Sequence, residues 1–166
     1  MSFRRDVVPH LDAAYNLARW LAGNDADADD VLQEALLRAH RFPRDGADAP
    51  RAWFLRIVRN AAFGMLRKQR GWDEVSDDEP SLEPDASALL STAIDVAELR
   101  RGIDALRPHF REMIVLRELE ELSYEEIAQV AQVPIGTVMS RLHRARAMLK
   151  KDLLRQERSG HARRSR

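Results

Sequence analysis

The sequence predicts an all-α protein: two small helical domains joined by an acidic flexible linker, the second ending in a helix-turn-helix. Three observations predict it. Apolar residues recur at steps of three and four along most of the chain, and no strand-like alternation interrupts them. A strip over residues 71–98 carries nine acids and no Lys or Arg. On either side the balance turns basic, with twelve cations to nine acids over residues 1–70 and fifteen to nine over 99–166. A chain whose 27 Lys and Arg cancel its 27 Asp and Glu is therefore charged unevenly along its length.

The elements follow in order. "LDAAYNLARWLAG" puts Leu11, Ala14, Tyr15, Ala18 and Leu21 on one face, and Gly23-Asn24 ends that helix. "DADADDVLQEALLRAHRF" restarts with acids in its first turn, where they complement the helix dipole. Val31, Leu32, Ala35, Leu36 and Ala39 form its apolar stripe. "PRDGADAP" is a turn-rich break. "RAWFLRIVRNAAFGMLRKQR" is a third long helix with a bend expected near Asn60–Gly64, and Trp53 and Phe54 read as core. The strip "GWDEVSDDEPSLEPDASALLST" repels itself and reads as a linker, with no role assigned to Trp72. "IDVAELRRGIDAL" and "HFREMIVLRELEE" are helical, the latter with Phe110, Ile114 and Leu119 near one face, and Met113 and Leu116 beside it. The boundaries are 1–70 for the first domain, 71–93 for the linker, 94–154 for the second domain and 155–166 for a basic tail expected to be disordered.

"SYEE" is a capping box, Ser123 serving the Glu126 amide and Glu126 serving the Ser123 amide. It opens the short helix "YEEIAQVAQ". Pro134 suits the first turn of the next helix. A short helix, a tight turn and a basic helix make a helix-turn-helix, with Ile127, Ala128, Ala131, Val133 and Val138 turned to the core. Gln132 stands at a turn position often given to glycine. Wound at about 100° per residue, the last helix lines up Val138, Leu142, Ala145 and Leu149. Ser140, His143, Arg144, Ala147 and Lys151 lie opposite, and Arg141, Arg146 and Lys150 flank the stripe. Such a helix suits a polyanion, its first turns reaching base edges and its cations holding phosphates. A solvated amphipathic helix has the same pattern, and the capped helix and turn before it favour nucleic acid.

Composition narrows the function. At 166 residues, 45% hydrophobic and 33% charged, the chain suits one ordinary domain or two small ones rather than a disordered chain. The absence of cysteine excludes disulfides and thiolate metal sites. His10, His40, His109, His143 and His161 show no ligand spacing, so neither metal nor cofactor is expected. The run "DADADD" fails the calcium-loop template, with Asp30 at the glycine position and Leu36 at that of the bidentate Glu. No apolar run approaches the ~20 residues of a membrane span. The start has no signal-peptide core, so a cytoplasmic location is expected.

"LRELEELSYEEIAQVAQVPIGTVMSRLHRARAML" resembles the C-terminal promoter-binding domain of bacterial sigma-70 family RNA polymerase sigma factors, in particular the extracytoplasmic-function (ECF) subgroup. "DADDVLQEALLRAHRF" followed by "APRAWFLRIVRNAAFGMLRKQR" resembles the N-terminal domain of the same family. The resemblance spans Leu11 to Leu153. It implies a non-enzymatic initiation factor that binds core RNA polymerase, through the clamp helices of the largest subunit and the flap of the second-largest. The N-terminal domain would open the minus-10 element and the C-terminal domain hold the minus-35 duplex. Relatives are typically held by an anti-sigma factor.

Carried over residue by residue, the resemblance assigns polymerase docking to Asp29, Asp30, Gln33, Glu34 and Arg38. Asn60 matches the position that captures a flipped base, with Ala61, Ala62 and Phe63 as pocket wall. Extrusion costs a few kcal/mol of stacking, which amide bonds and apolar contact must return. Asn60 also suits a helix-ending cap. Arg56, Arg59, Arg67, Lys68 and Arg70 can follow a single-strand backbone. Arg117 matches a phosphate contact. Thr137, Met139, Ser140, Arg141, His143, Arg144 and Lys151 belong to the minus-35 set. Met139 departs from relatives that carry a cation there, and offers apolar contact such as to a thymine methyl.

Two other functions fit parts of the sequence. A helix-turn-helix regulator acting without polymerase calls for a ligand or receiver domain in the first seventy residues, where no strand-helix alternation is found. A metal-dependent nucleic-acid enzyme with ligands at 25–30 calls for convergent carboxylates and histidines.

Overall fold

The computed structural model describes residues 2–46, 49–71 and 95–164. It is helical throughout, with no strand among the described residues. The helices are α1 (Phe3–Val7), α2 (Leu11–Ala22), α3 (Asp25–Arg41), α4 (Pro50–Arg70), α5 (Val96–Ala105), α6 (Pro108–Ile114), α7 (Tyr124–Ala131) and α8 (Ile135–Arg164). Most of the acidic linker, including Trp72, lies outside the described residues.

Helices α2, α3 and α4 pack on one another as the first half. Local chemistry sets their limits. Gly23 ends α2 and Gly71 ends α4, at φ 91° and 57°, a left-handed turn that L side chains resist. Asn24 caps α3 by accepting the Asp27 amide at 2.9 Å. The stripe of α2 is deeper than the spacing alone predicts: Leu17 and Ala22 join Ala14, Ala18 and Leu21 in the core, while Leu11 and Tyr15 sit at its margin. Trp53 and Phe54 are core, at 6% and 0% exposure. No break falls at Asn60–Gly64, where a bend was expected: α4 runs as one helix through them.

In the second half, α6 packs on α8, with α5 laid against α8 at Gly102, where a Cβ would meet Leu149 Cδ1 at 2.7 Å. After α6 the chain enters a π-helical turn over Val115–Leu119. Leu119 is 43% exposed, against the sequence expectation that put it with Phe110 and Ile114; nine residues after Phe110 is the opposite side of a helix wound at about 100° per residue. The capping box opens α7 as expected, with bonds of 2.8 and 3.1 Å. Gln132 closes it at φ 56°, the left-handed conformation glycine usually supplies. Val138, Leu142, Ala145 and Leu149 of α8 are all buried. The tail expected to be disordered from 155 instead continues α8 as far as Arg164. Its Arg, Gln, Glu and Ala are good helix formers.

The halves are not separate beads. One apolar cluster draws on Leu17, Leu21, Phe54 and Phe63 from the first and on Met113, Leu116, Ile127 and Leu142 from the second. A smaller cluster of Ile103, Leu106, Ile114, Ala145, Leu149 and Leu153 takes Trp20 of α2 against its edge.

Candidate nucleic-acid interface

Helix α3 buries Ala28, Val31, Ala35 and Ala39 at intervals of three and four, which turns the intervening residues outward. Asp29, Asp30, Gln33, Glu34 and Arg38 are all exposed on that outer side. Glu34 and Arg38 pair at 2.6 Å one turn apart. Leu37 lies beside them at 62% exposure, and Phe42 follows at 66%. Sequence reading missed Leu37. It falls four residues after Gln33, so the charged face also carries an exposed apolar side chain.

Helix α4 presents two unlike surfaces. Arg67, Lys68 and Arg70 are exposed in its last turns, and Arg56 is half-buried. Ala61, Ala62 and Phe63 are buried, and so is Arg59. The Arg59 guanidinium donates to both carboxylate oxygens of Glu112 on α6, from Nε at 2.8 Å and from Nη2 at 3.1 Å. It also lies 4.1 Å from the centre of the Phe63 ring, which stacks on His109 at 5.2 Å. His109 Nδ1 stands 3.6 Å from Glu112 Oε1. Burial alone would push the Glu112 carboxyl up, but His109 and Arg59 outweigh it and hold it below the ordinary carboxylate value. Asn60 donates from Nδ2 to Gln132 Oε1 at 3.3 Å. Sequence reading offered no partner for either Arg59 or Asn60.

Around this centre run further ties. Arg51 donates to the Glu120 carbonyl at 2.6 Å, and Asn16 to the Glu120 carboxylate at 2.5 Å. Arg111 donates to the Ile103, Asp104 and Leu106 carbonyls at the end of α5 and to the Trp20 carbonyl at the end of α2. A buried cation there answers the orphaned carbonyls of two helix ends at once.

Helix α8 carries the third surface. A shallow open concavity is lined by Tyr124, Gly136, Met139, Ser140, His143, Arg144 and Arg146. The structure thus gathers Met139, Ser140, His143 and Arg144 on one face, Met139 at 53% exposure. Thr137 is half-buried, its carbonyl accepting the Ser140 hydroxyl at 3.1 Å. Lys151 is exposed two turns further on and does not line the concavity. Arg141 is buried, at 7% exposure, away from that face. Arg117 donates to the Leu122 carbonyl at 2.8 Å and lies over the Tyr124 ring. Arg146 pairs with Glu118 at 2.6 Å. Partial burial would lower the Arg146 pKa, and Glu118 more than compensates, raising it.

Among the described residues no group of three or more His, Cys, Asp or Glu is placed to hold a metal ion. The acids that open α3 are used locally, Asp25 pairing with Arg19 at 2.7 Å and Asp27 serving the Asn24 cap. No described helix is long and apolar enough to cross a membrane.

Comparison with known proteins matches residues 7–71 to the model of sigma-70 region 2 and residues 97–149 to that of sigma-70, region 4. The ECF RNA polymerase sigma factor SigE of Mycolicibacterium smegmatis is 35% identical over 150 residues, covering 87% of this chain and 58% of that protein. The chain thus spans a little over half the length of that relative. SigW of Bacillus subtilis, also an ECF sigma factor, is 31% identical over 168 residues, covering 89% of this chain and 87% of its own. Among solved structures, the sigma factor RpoE in complex with the anti-sigma factor NepR from Bartonella quintana superposes with a TM-score of 0.67 at 26% identity, over 91% of this chain and 96% of that one. CnrH in complex with the cytosolic domain of CnrY gives 0.64 at 27% identity, over 90% and 85%.

Proposed function

Because the chain belongs to the sigma-70 family of bacterial RNA polymerase sigma factors, in its ECF subgroup, we propose that it binds core RNA polymerase and directs promoter-specific initiation under the control of an anti-sigma factor. One observation carries this reading: two different sigma regions follow one another in a single chain, region 2 over residues 7–71 and region 4 over 97–149. Such factors act by binding and are not enzymes.

The outer face of α3 docks on the clamp helices of the largest polymerase subunit. Asp29, Asp30, Gln33, Glu34 and Arg38 give charge complementarity and Leu37 gives apolar area. The C-terminal domain, 94–154, meets the flap of the second-largest subunit and the minus-35 duplex. Its reading face is Met139, Ser140, His143 and Arg144, with Thr137, Arg117 and Lys151 as backbone contacts; Arg141, which the resemblance puts in the same set, is buried and takes no part. The N-terminal domain, 1–70, takes the melted minus-10 strand. Arg56, Arg59, Arg67 and Lys68 follow its phosphates, and Asn60 with Ala61, Ala62 and Phe63 receives a flipped base. The linker at 71–93 joins them.

A gel shift with promoter DNA, with and without core polymerase, tests this reading. A complex that forms at nanomolar chain only when core is present supports it, since that is the ordinary range for specific protein–DNA binding. Equal binding to duplex without core, and no association with core, would make the chain a plain helix-turn-helix regulator.

A further inference from the structure

The outward face of α8 has two unlike flanks. Ile135 and Met139 stand one turn apart, and Arg146 follows seven residues later on the same side. Gly136, Ser140 and Arg144 form the next row at four-residue steps, with His143 between the two rows. Ile135 is 41% exposed and Met139 53%, two large apolar side chains left in water at the start of the helix. Position 136 carries no side chain, and a Cβ there would meet nothing within 4 Å. A ligand can therefore come close to the backbone beside Met139.

The cations next to this apolar row are occupied. Arg146 donates from Nε and Nη2 to the same Glu118 oxygen, at 2.9 and 2.6 Å. Arg117 donates from Nη1 to the Leu122 carbonyl, and its guanidinium lies 4.9 Å from the centre of the Tyr124 ring. The Glu118 side chain is 42% exposed. An exposed ion pair adds little stability, so stability does not account for an acid beside a surface that suits a polyanion. What Glu118 changes is charge: it leaves the Met139 flank neutral and apolar, while Ser140 and Arg144 make the other flank polar.

Base edges differ in the same way. In the major groove thymine alone presents a methyl group, beside the donors and acceptors that all four bases show. A neutral apolar flank gains from burying a methyl, and it leaves a donor or acceptor set against it without a partner. We infer that Met139, with Ile135 beside it, reads the C5 methyl of a thymine in the minus-35 duplex, and that Glu118 holds Arg146 off the DNA so that this flank recognises the methyl and not a phosphate. The inference rests on the reading of α8 as the minus-35 helix, and it names the base that one flank of that helix selects.

The chain bound to core polymerase selects duplexes from a pool of genomic promoter fragments. Each thymine of a selected minus-35 element is then exchanged singly for uracil, which removes the methyl and leaves the hydrogen-bonding edges as they were. At one position uracil should cost about four-fold in affinity, the worth of one buried methyl. Met139→Ala should lose most of that difference, and since Met139 is exposed the variant keeps its fold. In the same place 5-methylcytosine should bind better than cytosine by a similar factor. Glu118→Gln should release Arg146, tighten binding to selected and unselected duplexes alike, and steepen the fall of log affinity with log salt by about one phosphate contact. Uracil tolerated at every position, or a uracil loss as large in Met139→Ala as in wild type, overturns the assignment of Met139. An unchanged salt slope in Glu118→Gln overturns that of Glu118. If no duplex is enriched, the minus-35 reading itself falls. If duplexes are enriched and none depends on a methyl, that reading stands and the inference alone fails.

Discussion

At the residue scale, a few side chains are held where ordinary preference would not put them. Glu112 is the clearest. Its carboxyl lies below the usual 4.5 because His109 and Arg59 outweigh its burial, so its contribution to stability is complete above pH 4.5 and is lost as pH falls below that value through the folded pKa. The groups that face it are Arg59 from α4 and His109 from its own helix. Melting curves should show wild type more stable than Glu112→Gln at neutral pH, with the gap narrowing below pH 4.5; a gap constant across that range contradicts the role. Glu121 is held at φ 55° on the surface. Glycine there relieves about 1–2 kcal/mol of left-handed strain, against about 0.4–1 kcal/mol of added chain entropy. Glu121→Gly should therefore raise the melting temperature slightly, and a fall would show that the side chain holds a contact that matters. Arg59 marks the limit of sequence reading at this scale. A cation amid basic residues looks like a phosphate contact, and only the fold brings Glu112, 53 residues away, against it. Glu112 itself sits in the apolar run "HFREMIVL", a hint that it is buried and paired.

At the element scale, the longer helices were legible where a stripe and an end signal both mark them, as in α2 and α3, whereas the five-residue α1 carries neither and went unread. The capping box at Ser123 and the glycines at 23 and 71 are chemistry that a sequence displays directly. The π-helical turn at Val115–Leu119 was not legible, since its extra residue per turn is imposed by what packs around it. The extension of α8 to Arg164 was hidden by composition, as a basic tail and a basic helix read alike. Ser123→Ala should lower stability by about 1 kcal/mol by orphaning an α7 amide, measured by chemical denaturation. Arg144→Ala should weaken binding to a minus-35 duplex by about 1–3 kcal/mol, the worth of a base-edge contact. Unchanged affinity would remove Arg144 from the reading face. Arg146, already paired with Glu118 and Tyr124, should matter less in the same titration.

At the scale of the whole molecule, two halves that sequence alone left independent share one core and a buried ion pair. The surfaces read for polymerase and for duplex remain outward on α3 and α8. The surface read for the single strand is divided on α4: Arg59 and Phe63 are buried against the second half, while Arg67 and Lys68 are exposed. Asn60→Ala should weaken promoter melting, followed by permanganate reactivity, more than it weakens duplex binding. Equal losses in the two assays would deny Asn60 its role. The most direct measurement is run-off transcription with the purified chain, core RNA polymerase and a library of genomic promoter fragments. RNA starting at discrete sites, and only when chain and core are both present, is the predicted result. Core that ignores the chain on every fragment, with no regulator in the reaction, would contradict the account.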